Sequence, residues 1–300
     1  MGETGPRFVW VDGALHPASG AHVSVFDRGF QLGDGVFETL RARAGRVAEL
    51  DAHAVRLRHS ADGLGIVLPA DVEALLARGI ADLLAAEQLD GTDDDASLRV
   101  TVSRGRWLSR ALLPPADEPL IPTVAIQAWR LAPPAEGAVG GVSVVVSAVR
   151  RDPQNPLLAL KTTSRAEYVY AALEARRTGA DEVVFATVDG HLSEASTANL
   201  FLVRRSADGV VELATPSLDC AILAGTTRTW LLRWAERAGL RPVEARLPVD
   251  DLRRADEVFL SSSVAGIRPV LAVGGEPVGD GSPGPWTIRA RREREAFLVG

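Results

Sequence analysis

Lysine is nearly absent from this chain: of its 33 basic residues only Lys161 is a lysine, and the other 32 are arginine. A guanidinium stays protonated in any protein site, which excludes the arginines as amine nucleophiles or proton carriers. Lys161 is the one side chain that can shed its proton when partly desolvated or set beside another cation, form a Schiff base, or move protons at carbon. Cysteine is equally scarce. Cys220 stands alone, which excludes an internal disulfide and fits a reducing compartment. Long apolar runs are missing, the richest being VSVVVSAV at 142–149, far too short to cross a bilayer as a helix. The opening MGETGPRFVWVDG has no basic stretch leading into an apolar run, so no signal peptide is expected and a cytoplasmic protein is. A GxGxxG turn after the first strand, a GKS or GKT loop and an HExxH pair are all lacking, which removes the usual dinucleotide, nucleotide and zinc sites.

What is present is an ordinary globular composition, 46% hydrophobic and 24% charged over 300 residues, enough for one large or two ordinary domains. The net charge of −6, with arginines dispersed among acids, disfavours nucleic acid or an anionic membrane as partner and leaves a small molecule. The pattern reads as hairpins at Asp12-Gly13 and Ala44-Gly45, then helices opening at Asp51 and spanning 72–89, then strands in SLRVTVSRG and PTVAIQAWRL. APPAEGAVGG, 132–141, is the densest proline and glycine stretch between two strands, and it predicts a linker over 131–141 between a smaller N-terminal domain, 1–130, and a larger C-terminal one, 142–300. The second domain reads as a strand from 142, a helix over 164–180, a hairpin turning at Asp189-Gly190, a helix over 225–240, a strand running into a polar turn in DEVFLSSSVAGIRPV and a closing helix. The class is α+β, two domains with helices packed on strands, without a regular βαβ alternation.

Four separated pieces make chemical sense with Lys161. Glu194, just past the hairpin turn, can set a carboxylate against a cationic ring nitrogen. Thr226 and Thr227 open a helix whose free amides and dipole favour a phosphate. Arg56 can add a bidentate grip on that anion, and Ser262 and Ser263 offer hydroxyls at a strand end. An imine-forming amine, an acid for a pyridinium and a phosphate cradle together describe a pyridoxal 5'-phosphate site. His53 and His59 read as packing or capping residues, and no metal set accompanies them.

Taken in chain order, these pieces resemble the class IV aminotransferase family, the pyridoxal-phosphate proteins of fold type IV, over roughly residues 8–275. DRGFQLGDGVFETLR (27–41), HAVRL (53–57), the lysine segment, EASTANLF (194–201), AGTTR (224–228) and DEVFLSSSVAGIRPV (256–270) carry the likeness, and Glu194-x-Ser196-x-x-Asn199-Leu200-Phe201 is its most specific part. The resemblance implies that Lys161 is the Schiff-base lysine and Glu194 the acid facing the pyridine nitrogen. It makes Arg56, Thr226, Thr227 and Ser263 phosphate contacts, with Ser262 beside them. It also implies a two-domain fold with the cofactor in the cleft and a homodimer completing the site.

Within the family, GDGVFETLR, the pattern Lys161-x-x-x-Arg165-x-Glu167 and Asn155-Pro156 look most like aminodeoxychorismate lyase. Branched-chain enzymes typically carry a tyrosine where Ala166 stands, and D-amino-acid enzymes one where Phe37 stands; both commonly have glutamate at the place of Gly266. Ser164 departs from the asparagine frequent in the lyases, and Leu112 from the histidine of the D-amino-acid pattern. Arg110, in SRGRWLSRALLPP, matches a substrate-carboxylate arginine, with Phe37 as its companion in substrate binding. The expected activity is conversion of aminodeoxychorismate to para-aminobenzoate and pyruvate, a folate-precursor step. The alternative is a class IV aminotransferase acting on branched-chain or D-amino acids.

Overall fold

The structure, a computed structural model, describes residues 5–132 and 140–299. Residues 133–139, most of the expected linker, lie outside the described residues. The chain divides into two compact units, Met1–Pro134 with Leu160–Arg165, and Ala135–Ala159 with Ala166–Gly300.

In the first unit β1 (Phe8–Val11) and β2 (Ala14–Pro17) form the expected hairpin. Asp12 and Gly13 both take positive φ, 49° and 99°, the geometry whose twist suits a two-residue connection. The five-residue helix α1 (Arg28–Leu32) follows, then β3 (Gly35–Arg43) and β4 (Arg46–Val47), the second hairpin. α2 (Leu50–Leu64), α3 (Val72–Glu87), β5 (Asp95–Ser103) and β6 (Thr123–Arg130) complete the unit. The strands pair in the order β2-β1-β6-β5-β3-β4, antiparallel throughout. Leu57 and Ala61 of α2 and Leu76, Ile80 and Leu83 of α3 share one core with Trp10, Leu40, Leu98 and Ile126 of the sheet. The helical periodicity of those apolar residues therefore serves to cover one face of a sheet. Asp51, the expected cap of α2, sits in its first turn, where a carboxylate still meets the positive end of the helix; the cap position itself is Glu49, at φ 53°.

The second unit comprises β7 (Val142–Arg151), α4 (Ala166–Thr178), β8 (Glu182–Thr187), β9 (Leu192–Ala195), β10 (Asn199–Arg205) and β11 (Val211–Pro216). It continues with α5 (Thr226–Ala238), β12 (Arg241–Ala245), α6 (Asp251–Arg254), β13 (Glu257–Ser262), β14 (Gly266–Val273), β15 (Glu276–Pro277) and α7 (Pro285–Val299). Its strands run β12-β11-β10-β13-β14-β7-β8-β9, with β15 beside β14. Three pairings, β11 with β12, β14 with β7 and β7 with β8, are parallel. One face carries Trp230, Leu231 and Trp234 of α5 against Phe201 and Phe259, whose rings stack at 5.3 Å. Ala171 and Ala175 of α4 pack on Val183 and Phe185 elsewhere in the unit. The stretch DEVFLSSSVAGIRPV holds the expected strand and polar turn, and its end returns as β14, so that it forms the β13–β14 hairpin.

The second unit is not continuous in sequence, because Leu160–Arg165 clusters with the first. Backbone bonding explains it: Phe37 N donates to Lys161 O at 3.0 Å and Thr163 N to Gly35 O at 2.8 Å, so the lysine segment lies along β3 as a short extra strip.

Candidate active site

The first unit holds Lys161 in a cationic setting. Its backbone is pinned by β3 and by Ser60 of α2, whose buried hydroxyl accepts from Lys161 N at 3.0 Å. Its Nζ lies 4.6 Å from the centre of the Phe37 ring, which is itself only 5% exposed. Arg99 stacks on the same ring with its guanidinium carbon at 3.9 Å, and Arg165 approaches to 5.7 Å. The β3–β5 register, Phe37 opposite Thr101 and Thr39 opposite Arg99, makes Phe37 and Arg99 diagonal neighbours on one face of the sheet. Burial, and then the charge of Arg165, depress the pKa of Arg99. Three basic side chains thus converge on one aromatic ring, the arrangement that favours an anionic ligand.

Arg56, on α2 next to this region, is held by Glu38. Its Nε and Nη2 donate to the two carboxylate oxygens at 2.7 and 2.6 Å, and His53 Nδ1 lies 2.7 Å from the same carboxylate. Burial pushes Glu38 up, but the hydrogen bonds and charges of Arg56 and His53 outweigh it and hold the carboxyl at about 2. The group is an ion pair at any physiological pH, so the guanidinium of Arg56 is fixed in orientation.

In the second unit Glu194, on β9, is buried. Its Oε2 accepts from Leu223 N at 3.0 Å and from Asn199 Nδ2 at 3.3 Å. Asn199 also donates to Leu223 O at 2.9 Å, tying the acid to the segment that leads into α5. The N-cap of α5 is Gly225, which has no side chain to cap the helix's first amides. A Cβ on Gly225 would fall 2.0 Å from Asn199 Oδ1, so only glycine allows the helix start to come so close. Thr226 and Thr227 are buried, and Thr226 Oγ1 lies 3.2 Å from Ser263 Oγ. One well-held carboxylate and one hydroxyl-lined helix start with a glycine N-cap, joined through Asn199, are a fitting donor set for a pyridinium ring and its phosphate.

The structure distributes the sequence-derived residues unevenly. Thr226 and Ser263 meet, and Glu194 is bound to the loop before Thr226. Ser262 serves the backbone instead, its hydroxyl accepting from Ala265 N at 3.3 Å and closing the β13–β14 turn. Phe37 lies under Lys161, whereas Arg110 is exposed on the loop after β5 and makes no hydrogen bond or ion pair among the described residues. That loop is fastened by Arg28, which donates to Leu112 O at 2.5 Å and to Asp34 at 2.7 Å.

Three residues escape a reading of the sequence as site residues. Arg99 hides among arginines because strand register is what brings it to Phe37. Asn199 is visible as a motif position, but its link between acid and helix is not. Arg151, at the end of β7, is 1% exposed and stacks on Phe185 at 4.1 Å and Tyr168 at 4.5 Å. Its Nη1 donates to Tyr168 Oη at 3.0 Å and sits 3.7 Å from Glu194 Oε1, while its Nε and Nη2 have no hydrogen-bond partner among the described residues. It sets a positive charge beside the carboxylate. Among the described residues no group of His, Cys, Asp and Glu could hold a metal ion, and no helix is long and apolar enough to cross a membrane.

Comparison with known proteins gives this arrangement a family. The chain is 26% identical to branched-chain-amino-acid aminotransferase-like protein 2 of Arabidopsis thaliana over 99% of its own length, yet spans about half (51%) of that relative. It is 30% identical to D-alanine aminotransferase of Bacillus licheniformis, covering 93% of each chain. The branched-chain aminotransferase of Thermoproteus uzoniensis, solved with norvaline, superposes with a TM-score of 0.86 at 28% identity, covering 99% of this chain and 96% of that one. A Legionella pneumophila protein, provisionally named a 4-amino-4-deoxychorismate lyase, gives 0.80 at 26%, covering 93% and 96%. The model of the amino-transferase class IV family matches residues 35–273, and the family depends on pyridoxal phosphate. The chain belongs to the class IV aminotransferase family.

Proposed function

We propose that this chain is a pyridoxal-phosphate-dependent aminodeoxychorismate lyase, releasing para-aminobenzoate and pyruvate. The observation that carries the reading is the cationic group on Phe37: Arg99 at 3.9 Å, Lys161 at 4.6 Å and Arg165 at 5.7 Å. Aminodeoxychorismate carries two carboxylates, which suits two guanidiniums flanking the reactive amine. A branched aliphatic amino acid carries one carboxylate and an apolar tail that gains little from a second cation.

When bound, pyridoxal phosphate supplies an aldehyde for covalent attachment and a protonated ring that takes up an electron pair. Lys161 would hold the aldehyde carbon. Lys161 would also serve as the base that removes the proton from the substrate carbon bearing the amine nitrogen. Arg99 and Arg165 would hold the substrate carboxylates on either side of that amine. Glu194, steadied by Leu223, Asn199 and Arg151, would keep a proton on the ring nitrogen. Thr226, Thr227, Ser263 and Arg56 would grip the phosphate, with Ser262 shaping the turn beside them. The carbon–oxygen bond to the enolpyruvyl group breaks, the proton taken by Lys161 ends on the departing enol as it becomes pyruvate, and the ring aromatises. No oxidant or second substrate is needed.

The names of the relatives favour a second reading, transamination of branched-chain or D-amino acids with the same lysine moving the proton. The assay that separates them offers purified protein aminodeoxychorismate with no keto acid. Stoichiometric pyruvate and para-aminobenzoate support the lyase; product that forms only when an amino donor and a keto acceptor are paired contradicts it.

A homodimer belongs to the same proposal. Phe26, Phe30 and Leu32 near α1 and Leu108, Leu112 and Leu113 in the loop after β5 are all exposed. They lie on two segments bonded to each other through Trp107 N to Phe26 O. An apolar surface of this kind calls for a partner, and a second copy would bring Arg110 to the substrate carboxylate.

A further inference from the structure

The family match ends at residue 273, and α7 lies beyond it. This helix is nevertheless built onto the anion end of the second unit. Glu257 of β13 accepts from Trp286 N, Thr287 N and Thr287 Oγ1 at 3.0, 2.8 and 2.6 Å, fixing the start of α7. Trp234 Nε1 of α5 donates to Glu293 Oε2 at 2.7 Å, fixing its middle. Between these anchors and the C-terminus, Arg294 points inward and is only 1% exposed. Its guanidinium carbon lies 5.2 Å from the centre of Trp230 and 5.1 Å from that of Phe297. Its Nη2 donates to Thr227 Oγ1 at 3.5 Å.

Burying a guanidinium is costly, and stacking on rings offsets part of the cost. Its place at Thr227 points to a use. A threonine hydroxyl has two lone pairs and one proton to give. With Arg294 donating into one lone pair, the hydroxyl proton must be given elsewhere. Thr227 is the second residue of α5, so the carbonyl four residues back lies outside the helix, and among the described residues the Thr227 hydroxyl donates to no group. The proton is therefore available to an anion at the open end of α5, and the nearby positive charge strengthens the pull of the helix dipole on that anion.

We propose that Arg294, on the C-terminal helix, is a positioning residue for the cofactor phosphate: it orients the Thr227 hydroxyl and adds charge behind it. The proposal rests on the reading of Thr226 and Thr227 as phosphate contacts. It predicts selectivity for the phosphate as well as tight binding, which a purely structural arginine would not give.

The test titrates the full-length protein, stripped of cofactor, with pyridoxal 5'-phosphate and separately with pyridoxal, following absorbance. Arg294→Met is expected to weaken the phosphorylated aldehyde about tenfold, in line with loss of one charge-assisted hydrogen bond. Affinity for pyridoxal should be unchanged, and inorganic phosphate should compete less well against the variant. Thr227→Val should reproduce the loss, and the double variant should lose less than the sum of the two. Arg294→Lys and Arg294→Gln read the same affinity ratio should the methionine variant fold poorly. An unchanged ratio, an equal loss for both aldehydes, or strictly additive losses would overturn the proposal. If the unaltered protein bound neither aldehyde, the cofactor reading would fall first, and this inference with it.

Discussion

Glu38 shows how much one buried acid can organise. Its carboxyl, ordinarily near 4.5, is held at about 2 because Arg56 and His53 outweigh the cost of burial. A depressed carboxyl contributes stability that is fully present above the unfolded value and lost as pH falls through the folded one. The contribution is on the order of 3 kcal/mol, so Glu38→Gln should lower the melting temperature at pH 7. The gap between variant and parent should close between about pH 4.5 and pH 2, as thermal melts across that range will show; a gap independent of pH would contradict the assignment. Arg99 carries a different prediction. Arg99→Gln should raise KM for a substrate with two carboxylates about tenfold or more and leave a monocarboxylate nearly unaffected. Steady-state kinetics on such a pair measure the difference.

At the scale of elements, the decisive contact is the start of α5 against Asn199. The methyl group of Gly225→Ala would collide with Asn199 Oδ1, pushing the helix start away from the loop that holds Glu194. Overpacking of this kind costs about 2 kcal/mol, and it should weaken cofactor binding as well as stability; absorbance titration and melting read both. Elements also show where sequence is informative. The Asp12-Gly13 and Ala44-Gly45 hairpins are legible because residues at positive φ leave a local signature, and α3 and α5 because their apolar residues recur at helical spacing. α1 is not legible, since five residues carry too little periodicity. Nor is β12, whose partner β11 lies in parallel across the whole of α5. In DEVFLSSSVAGIRPV the polar turn is legible, but the return strand β14 is not, because pairing with β13 and β7 rather than local pattern defines it. Lys161, Glu194 and the threonines are legible by chemistry, whereas Arg99, Arg151 and Arg294 need register and packing to single them out among 32 arginines.

At the scale of the molecule, the lysine segment belongs with one unit while Glu194, Thr226 and Thr227 belong with the other. Both units must be intact for the proposed chemistry. The exposed apolar segments around Phe30, 74% exposed, and Leu112, 75% exposed, predict self-association. Light scattering should return the mass of two chains. Phe30→Asp should shift the protein toward the mass of one, with a fall in activity; a parent protein already monomeric at working concentration would refute the dimer.

The central claim is that Lys161 bonds covalently to an aldehyde cofactor. Borohydride reduction of the protein loaded with pyridoxal phosphate, followed by peptide mass spectrometry, tests it most directly, because Lys161 is the chain's one side-chain amine. The account predicts bleaching of the yellow colour and a phosphopyridoxyl group on the peptide that contains Lys161, absent in Lys161→Arg. An unmodified Lys161 peptide in protein that had been yellow before reduction would contradict it.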